Sequence, residues 1–159
     1  MVKIRYISGV YVLESTSVLK GTLNDVWLFF SRPENLATIT PADMDFKITS
    51  GVSRDMYQGQ VITYKLSVFN WFKLNWVTEI SNLIKGKLFV DEQIHGPYKM
   101  WRHQHQFQEA TNGVKVFDKV VYQVPFGWIG RLLNTLLIKR KLISIFSYRQ
   151  AAIENKFNH

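Results

Sequence analysis

The alternation of polar and apolar side chains is strictest between residues 96 and 107. A Gly-Pro turn signal opens this segment, and the positions that alternate along one side of it are Met, Arg and Gln, which predicts a strand with one face toward water. The opposite face carries two histidines between two aromatic rings: Trp101, His103, His105 and Phe107. An imidazole in the interior needs hydrogen-bond partners for its nitrogens. The pattern therefore predicts an enclosed space with polar groups on its wall.

The pattern before this strand predicts one further strand and two short helices. Residues 11–19 alternate loosely and are rich in Val, Leu, Thr and Tyr, as is typical of a strand. Thr22 with Asp25, and Ser31 with Glu34, have the spacing of capping boxes, and each pair precedes apolar residues at helical intervals. We therefore expect a pair of short helices after the first strand.

Residues 43–124 are predicted to form about six strands, and residues 130–157 one long helix. The helical range has apolar residues on more than one stripe and no Pro or Gly after its start. The helix must cover the concave face of a curved antiparallel sheet, because no other element can do so. The strand range alternates with period two between turn signals at Ser50-Gly51, Gln58-Gly59, residues 69–72, Ser81-Asn82, His95-Gly96-Pro97 and Asn112-Gly113.

The positions of Lys, Asn, Glu and Gln assign most inner faces of these strands. Residues 85–93 stay unassigned, because their lysines favour one face and their aromatic residue the other. A hairpin that turns at residues 111–113 brings Asp118 opposite His105 or Phe107. The side chains expected to face inward on the other strands are Ile62, Tyr64, Leu66 and Val68, then Leu74, Trp76, Thr78 and Ile80, and finally Val116, Asp118, Val120, Tyr122 and Val124.

Length and composition fit a single domain that spans residues 1–159. The formal net charge is +8, and residues 59–159 carry all of the excess, with fourteen Lys or Arg against six Asp or Glu. The lysines lie singly on outward-facing strand positions, so we interpret the charge as a solvated surface and expect no nucleic-acid partner. The chain has no cysteine, no export signal and no apolar run near the roughly 20 residues of a membrane span, which favours a cytoplasmic protein.

Four motifs resemble those of a known superfamily. They are Phe30-Ser31-x-Pro33-Glu34-Asn35-Leu36, Phe89-x-Asp91-x-Gln93-x-x-Gly96-Pro97-Tyr98-x-x-Trp101-x-His103-x-His105-x-Phe107, Asp118-x-Val120-x-Tyr122-x-x-Pro125-x-Gly127 and Ile145-Phe146-x-Tyr148-Arg149. With the order of elements, they make the chain similar to the bacterial ligand-binding branch of the START/Bet v 1-like (SRPBCC) superfamily. The resemblance implies an α+β helix-grip fold, in which a curved antiparallel sheet of about seven strands wraps around a long C-terminal helix. It also implies a deep, mostly apolar cavity between sheet and helix, and it implies no established substrate.

The function expected on this basis is non-enzymatic binding of a small hydrophobic or amphipathic molecule in that cavity. We expect the opening near the two short helices and residues 125–130. No phosphate-binding or dinucleotide motif is present, so we expect no cofactor, and we expect no metal. The sequence leaves the oligomeric state open. The expected ligand-binding residues are Tyr64, Trp76, Trp101, His103, His105, Phe107, Asp118 and Tyr122.

Other interpretations of the same residues stay open. His105 oriented by Asp118 is the acid/base candidate of a cyclase- or hydrolase-like enzyme, as in some members of the superfamily, and the same two residues also fit a purely structural buried pair. His103 and His105, at i and i+2 of a strand, would also suit a metal ion with Asp118 as the third ligand. Basic positions of the last helix offer a contact for a membrane or a partner protein, although a solvated helix face explains them more simply: Arg131, Lys139, Arg140, Lys141 and Arg149.

Overall fold

The computed structural model describes residues 2–68 and 72–158. Within these ranges it contains eight strands: β1 (Lys3–Ile7), β2 (Val10–Leu19), β3 (Lys47–Ser50), β4 (Val61–Val68), β5 (Phe72–Ile84), β6 (Leu88–His95), β7 (Met100–Ala110) and β8 (Gly113–Gln123). The α-helices in the same ranges are α1 (Leu23–Phe30), α2 (Gly127–Leu133) and α3 (Lys139–Asn158). Two 3₁₀ helices follow α1, at Pro33–Ile39 and Ala42–Met44, and a π-helical segment, Asn134–Ile138, joins α2 to α3.

The strands form one antiparallel sheet in the order β1-β2-β8-β7-β6-β5-β4-β3. The sheet is curved, and the C-terminal helical segment packs in its concavity. This arrangement confirms the predicted α+β helix-grip fold, with short helices between β2 and β3. The sheet has eight strands rather than about seven, because residues 3–7 form a strand that pairs with β2.

Two of the predicted turns are not found as turns among the described residues. The turn predicted at Ser81-Asn82 is wrong: both residues lie inside β5, where the pairing with β6 shifts register through a bulge. A bulge interrupts the alternation of side chains, so on the sequence it resembles the end of a strand. The chain reverses instead at residues 85–87. The turn predicted at residues 69–72 lies outside the described residues, except for its last residue, which begins β5.

The two predicted capping boxes have different outcomes. The first is confirmed, since the backbone N–H of Asp25 donates to Thr22 Oγ1 at 3.2 Å and the Asp25 side chain accepts in return from the Thr22 backbone. The second is wrong. Arg32, not Ser31, occupies the N-cap position and provides no side-chain hydrogen bond, and the helix that contains Glu34 is of the 3₁₀ type.

The last helical segment differs from its prediction in start and continuity. It begins at Gly127 instead of residue 130, and the π-helical turn divides it into two α-helices. Leu142, Phe146 and Ile153 of α3 are buried in the two apolar clusters that line the sheet. Burial of these side chains holds α3 across the concave face, since each contributes about 1.5–3 kcal/mol.

The pairing of β6, β7 and β8 determines which side chains meet in the interior. The β7–β8 hairpin turns at residues 111–112 and places His105 opposite Asp118, as one of the two predicted registers requires. In the neighbouring pair, Asp91 of β6 lies opposite His103 of β7. Paired residues project from the same face of a sheet, so these four side chains converge.

We predict that Gly113→Ala disrupts this register. Gly113 has a φ of +135°, and an added Cβ would lie 2.0 Å from the backbone oxygen of Leu19. Gly86, in the β5–β6 turn, is the matched control, because its φ is +74° and nothing lies within 4 Å of an added Cβ. We expect the free energy of unfolding to fall by about 1 kcal/mol for Gly86→Ala and by about 3 kcal/mol or more for Gly113→Ala. Urea unfolding followed by tryptophan fluorescence measures both, and equal losses would contradict the hairpin geometry.

Candidate ligand cavity

A cavity of about 360 Å³ lies between the sheet and α3. Most of its lining is apolar and comes from α1, the 3₁₀ helices, strands β3 to β7 and α3. Polar groups from the sheet and α3 interact with one another on one part of the lining, which we call the polar wall: Tyr64, Thr78, Asp91, His103, His105 and Arg149. Further polar residues of the lining are Arg32, Asn35, Thr40 and Lys141.

Two imidazoles and two carboxylates form a closed ring of contacts, the His–Asp cluster of Asp91, His103, His105 and Asp118. His103 lies between the carboxylates, with Nδ1 3.6 Å from Asp91 Oδ2 and Nε2 3.2 Å from Asp118 Oδ1. His105 bridges the same two oxygens, with Nε2 3.3 Å from Asp91 Oδ2 and Nδ1 2.7 Å from Asp118 Oδ1. The centroids of the two rings are 3.8 Å apart. Each of the four ring nitrogens therefore faces a carboxylate oxygen.

The contacts of Asp118 with the two rings differ in geometry. Its contact with His103 Nε2 has both the distance and the angle of a hydrogen bond. His105 Nδ1 is closer to the same oxygen but is not aligned for a hydrogen bond, and it is buried without any other partner among the described residues. Asp118 therefore holds His105 through charge and close contact. Both histidines and Asp118 are buried, and Asp91 is half-buried, so the cluster must balance its charge largely without water.

Burial and neighbouring charges act on these groups in opposite directions. Burial alone would raise the pKa of Asp118, but the imidazoles, His105 foremost, hold it well below its usual value. Burial is likewise outweighed at Asp91, where His103 and then His105 lower the pKa. Burial lowers the pKa of His105, yet Asp118 and Asp91 together raise it above the usual value. Burial and the neighbouring His105 lower the pKa of His103. The two carboxylates thus stay ionised, and of the two imidazoles His105 is the one that more readily takes up a second proton.

Arg149 of α3 adds a positive charge to the polar wall. Burial lowers its pKa, while Asp118 and Asp91 act in the opposite direction. It makes no ion pair with any described residue, and its Nε is buried without a hydrogen-bond partner. Its guanidinium carbon lies 5.1 Å from the centroid of the Phe146 ring. The interpretation of the basic helix positions as a solvated face is therefore wrong for Arg149.

Five of the predicted ligand-binding residues line the cavity: Tyr64, Trp76, Trp101, His103 and His105. The other three lie behind this lining. Phe107 packs edge-on against Trp27, with ring centroids 5.4 Å apart. Asp118 contacts the two imidazoles but does not line the cavity. The hydroxyl of Tyr122 donates to Asn134 Oδ1 at 3.1 Å, which ties β8 to the π-helical segment.

Three residues of the polar wall were not among the predicted ligand-binding residues: Thr78, which was expected only to face inward, Asp91 and Arg149. Asp91 belongs to the segment whose inner face stayed unassigned, and the structure turns Phe89 and Asp91 toward the cavity. The aromatic residue, not the lysines, was therefore the better guide to that face. Arg149 is marked by a spacing that could have been recognised, since it continues the buried stripe of α3 formed by Leu142, Phe146 and Ile153 at intervals of three and four residues.

No model of a known protein family matches the chain, and no curated protein matches it. Solved structures do match. A protein of Rhodobacter sphaeroides has a TM-score of 0.70 at 11% identity, with 98% of this chain and 97% of that chain covered. The major latex-like protein 151 of Panax ginseng has a TM-score of 0.69 at 13% identity, and the match covers 94% of this chain and 99% of that chain. A nucleoside-diphosphate sugar epimerase of Corynebacterium glutamicum has a TM-score of 0.62 at 20% identity, and the match covers 89% of this chain but only 28% of that chain. At these identities the likeness shows the fold alone: this chain has the helix-grip fold that its resemblance to START/Bet v 1-like proteins implied.

Proposed function

We propose that the protein binds a small, mostly apolar molecule in the cavity between the sheet and α3. The observation that carries this proposal is the cavity itself, whose volume of about 360 Å³ falls in the usual range of small-molecule sites. Protein interiors are otherwise packed with few voids larger than a water molecule. A mostly apolar lining with a few polar groups on one part of it suits a ligand with an apolar body and a polar head.

Two buried donors of the cavity lining, Trp76 and the polar-wall residue Arg149, favour a head group that accepts hydrogen bonds. Trp76 Nε1 and Arg149 Nε are both buried N–H donors without a partner among the described residues. An unsatisfied buried donor costs about 1–3 kcal/mol, and more if it is charged. Small movements of these side chains would let a carboxylate, sulfonate or carbonyl oxygen of the ligand pair with them. The positive charge of Arg149, which lacks an ion pair, favours an anionic group among these.

The arrangement of His105 favours binding over acid/base catalysis. A general base must present a free nitrogen within hydrogen-bond reach of the substrate. Both ring nitrogens of His105 already face carboxylate oxygens, one at 2.7 Å from Asp118 and one at 3.3 Å from Asp91. The cyclase- or hydrolase-like alternative would require the cluster to open first.

A variant that fills the cavity tests the proposal. Leu74 of β5 lines the cavity, and Leu74→Trp places a larger ring there. Val77→Trp on the same strand is the matched control, because Val77 does not line the cavity. We expect Leu74→Trp to weaken the binding of 1-anilinonaphthalene-8-sulfonate by about 10-fold or more, since the apolar contacts of the probe are lost. Val77→Trp should bind like the wild type. Fluorescence titration measures all three proteins, and equal affinities would contradict binding in this cavity.

The head group is tested by a pair of probes that differ only there. We expect the wild type to bind decanoate more tightly than decanol. Arg149→Met should lower the affinity for decanoate by about 10–100-fold, because a charge-assisted hydrogen bond contributes about 1.5–3 kcal/mol. Its affinity for decanol should change little. Arg140→Met removes the same charge from an exposed position of α3 and serves as the control. Displacement of the fluorescent probe, in buffer with EDTA, measures each affinity. A loss of the same size for both probes, or for Arg140→Met, would contradict the role given to Arg149.

A second candidate function is contact with an anionic membrane surface, and a specific surface favours it. The apolar segment, residues 126–137, exposes seven large side chains: Phe126, Trp128, Ile129, Leu132, Leu133, Leu136 and Leu137. Isolated exposed apolar residues are ordinary, but a contiguous group of this kind is typical of an interaction site. No described helix is long and apolar enough to cross a bilayer.

Charge and backbone geometry both support the membrane candidate. Residues 124–153 contain no Asp or Glu, while Arg131, Lys139 and Arg140 are exposed within or beside the apolar segment. Basic residues beside exposed Trp and Leu are typical of helices that lie in an anionic bilayer interface. Phe126 is 77% exposed and has a φ of +65°, which is rare for a bulky residue. Pro125 and Ile138 flank the segment and line the cavity. An apolar ligand would therefore have a short path from the membrane into the cavity.

Vesicle binding tests this candidate. We expect the wild type to cosediment with vesicles of phosphatidylcholine and phosphatidylglycerol but weakly with phosphatidylcholine alone. Trp128→Ser combined with Leu132→Ser should lower partitioning by about 100-fold or more, because each side chain contributes about 1.5–3 kcal/mol when buried in lipid. Tyr57→Ser, which removes an exposed ring elsewhere, is the control. Equal partitioning of the double variant and the wild type would contradict the membrane contact.

A further inference from the structure

Three potential metal ligands lie close together in the His–Asp cluster. The ligand atoms of Asp91, His103 and His105 all lie within 4.8 Å of one another. Asp91 Oδ2 is 3.6 Å from His103 Nδ1 and 3.3 Å from His105 Nε2. Ligands at about 2.1 Å from a tetrahedral Zn²⁺ lie about 3.4 Å from one another. The two Asp91 distances therefore fit an ion after shifts of a few tenths of an ångström, and the ligating nitrogens of the two histidines, which lie within 4.8 Å of each other, would approach by up to about 1.4 Å.

The second nitrogen of each histidine lies beside a carboxylate, and that of His103 already makes the hydrogen bond that is usual for a metal-binding imidazole. His103 Nε2 is 3.2 Å and His105 Nδ1 is 2.7 Å from the same oxygen of Asp118. In metal sites a carboxylate behind the ligating histidine commonly accepts the proton of the other ring nitrogen and fixes the orientation of the ring. Here one buried carboxylate would serve both rings. We propose that Asp91, His103 Nδ1 and His105 Nε2 bind a divalent transition-metal ion, with Asp118 positioning the two rings from behind.

The proposed site opens toward the cavity. Asp91, His103 and His105 line the cavity, whereas Asp118 does not. Two histidines and one carboxylate leave coordination positions free on the ion, as in catalytic zinc sites and in non-haem iron sites. The free positions would face the cavity and would accept an oxygen donor from its occupant. Two carboxylates and two neutral imidazoles balance the charge of a divalent ion, and Arg149 then leaves one positive charge on the polar wall.

Asp91 is the residue that makes this site three-coordinate. The sequence suggested Asp118 as the third ligand beside the two histidines, but the structure puts Asp118 on their other nitrogens. Asp91 reaches the remaining nitrogens from β6 because it pairs with His103 in the β6–β7 register. The competing explanation is that hydrogen bonds and charge alone hold the same four groups together. Metal binding distinguishes the two, and it is measured without any organic ligand, so its outcome is independent of the proposed function.

The test is titration of the EDTA-treated 159-residue protein with Zn²⁺ by isothermal titration calorimetry. We expect one Zn²⁺ per chain and a loss of affinity of at least about 100-fold for Asp91→Asn. We expect Asp118→Asn to lower the Zn²⁺ affinity by about 10–100-fold, which is the usual effect of removing a carboxylate that hydrogen-bonds a ligating histidine. His95→Ala is the matched control, because His95 lies on the same strand as Asp91 but is exposed and outside the cluster. Its affinity should equal that of the wild type.

Several results would overturn the proposal. They are the absence of a one-to-one Zn²⁺ site in the wild type, a site that His95→Ala removes, or a site that Asp91→Asn leaves intact. If Asp91→Asn does not fold, the absorption spectrum of the wild type with Co²⁺ decides. Intense visible bands of a four- or five-coordinate ion support the site, and the weak spectrum of the hydrated ion contradicts it.

Discussion

The site depends on the register of three neighbouring strands. One histidine of β7 lies opposite a carboxylate on β6, and the other lies opposite a carboxylate on β8. A shift of one residue in either pairing would turn one carboxylate toward the outer face of the sheet and leave buried imidazole nitrogens without acceptors. Because removal of one partner from a buried charged group costs several kcal/mol, the cluster and the register stabilise each other.

The cavity follows from the way α3 covers this cluster. Leu142, Phe146 and Ile153 anchor the helix in the apolar clusters at the two ends of the concave face. Between them, Arg149 turns a cation inward, and the His–Asp cluster presents charge from the sheet side. The result is an apolar space with a charged wall whose groups are only partly satisfied by one another. In the proposed function, such a wall would select the polar part of a ligand, and the apolar lining would supply most of the binding free energy.

Sequence reasoning was most successful where alternation was uninterrupted. The inner faces of β4, β5, β7 and β8 could be read from period two alone, and the hairpin at residues 111–112 limited Asp118 to two partners. It failed where a local irregularity changed the period. The bulge in β5 resembled a turn, and the conflicting residues of β6 hid the orientation of Asp91. Arg149 was missed for a different reason: it continues the apolar stripe of α3, but a basic residue on a surface helix is normally solvated.

The central claim is that the space beneath α3 holds a small molecule. Native mass spectrometry of the protein after incubation with a lipophilic extract of cells tests it most directly. The account predicts a one-to-one complex whose extra mass is that of a single small organic compound and which disappears on denaturation. The mass of the bare chain at every extract concentration would contradict it.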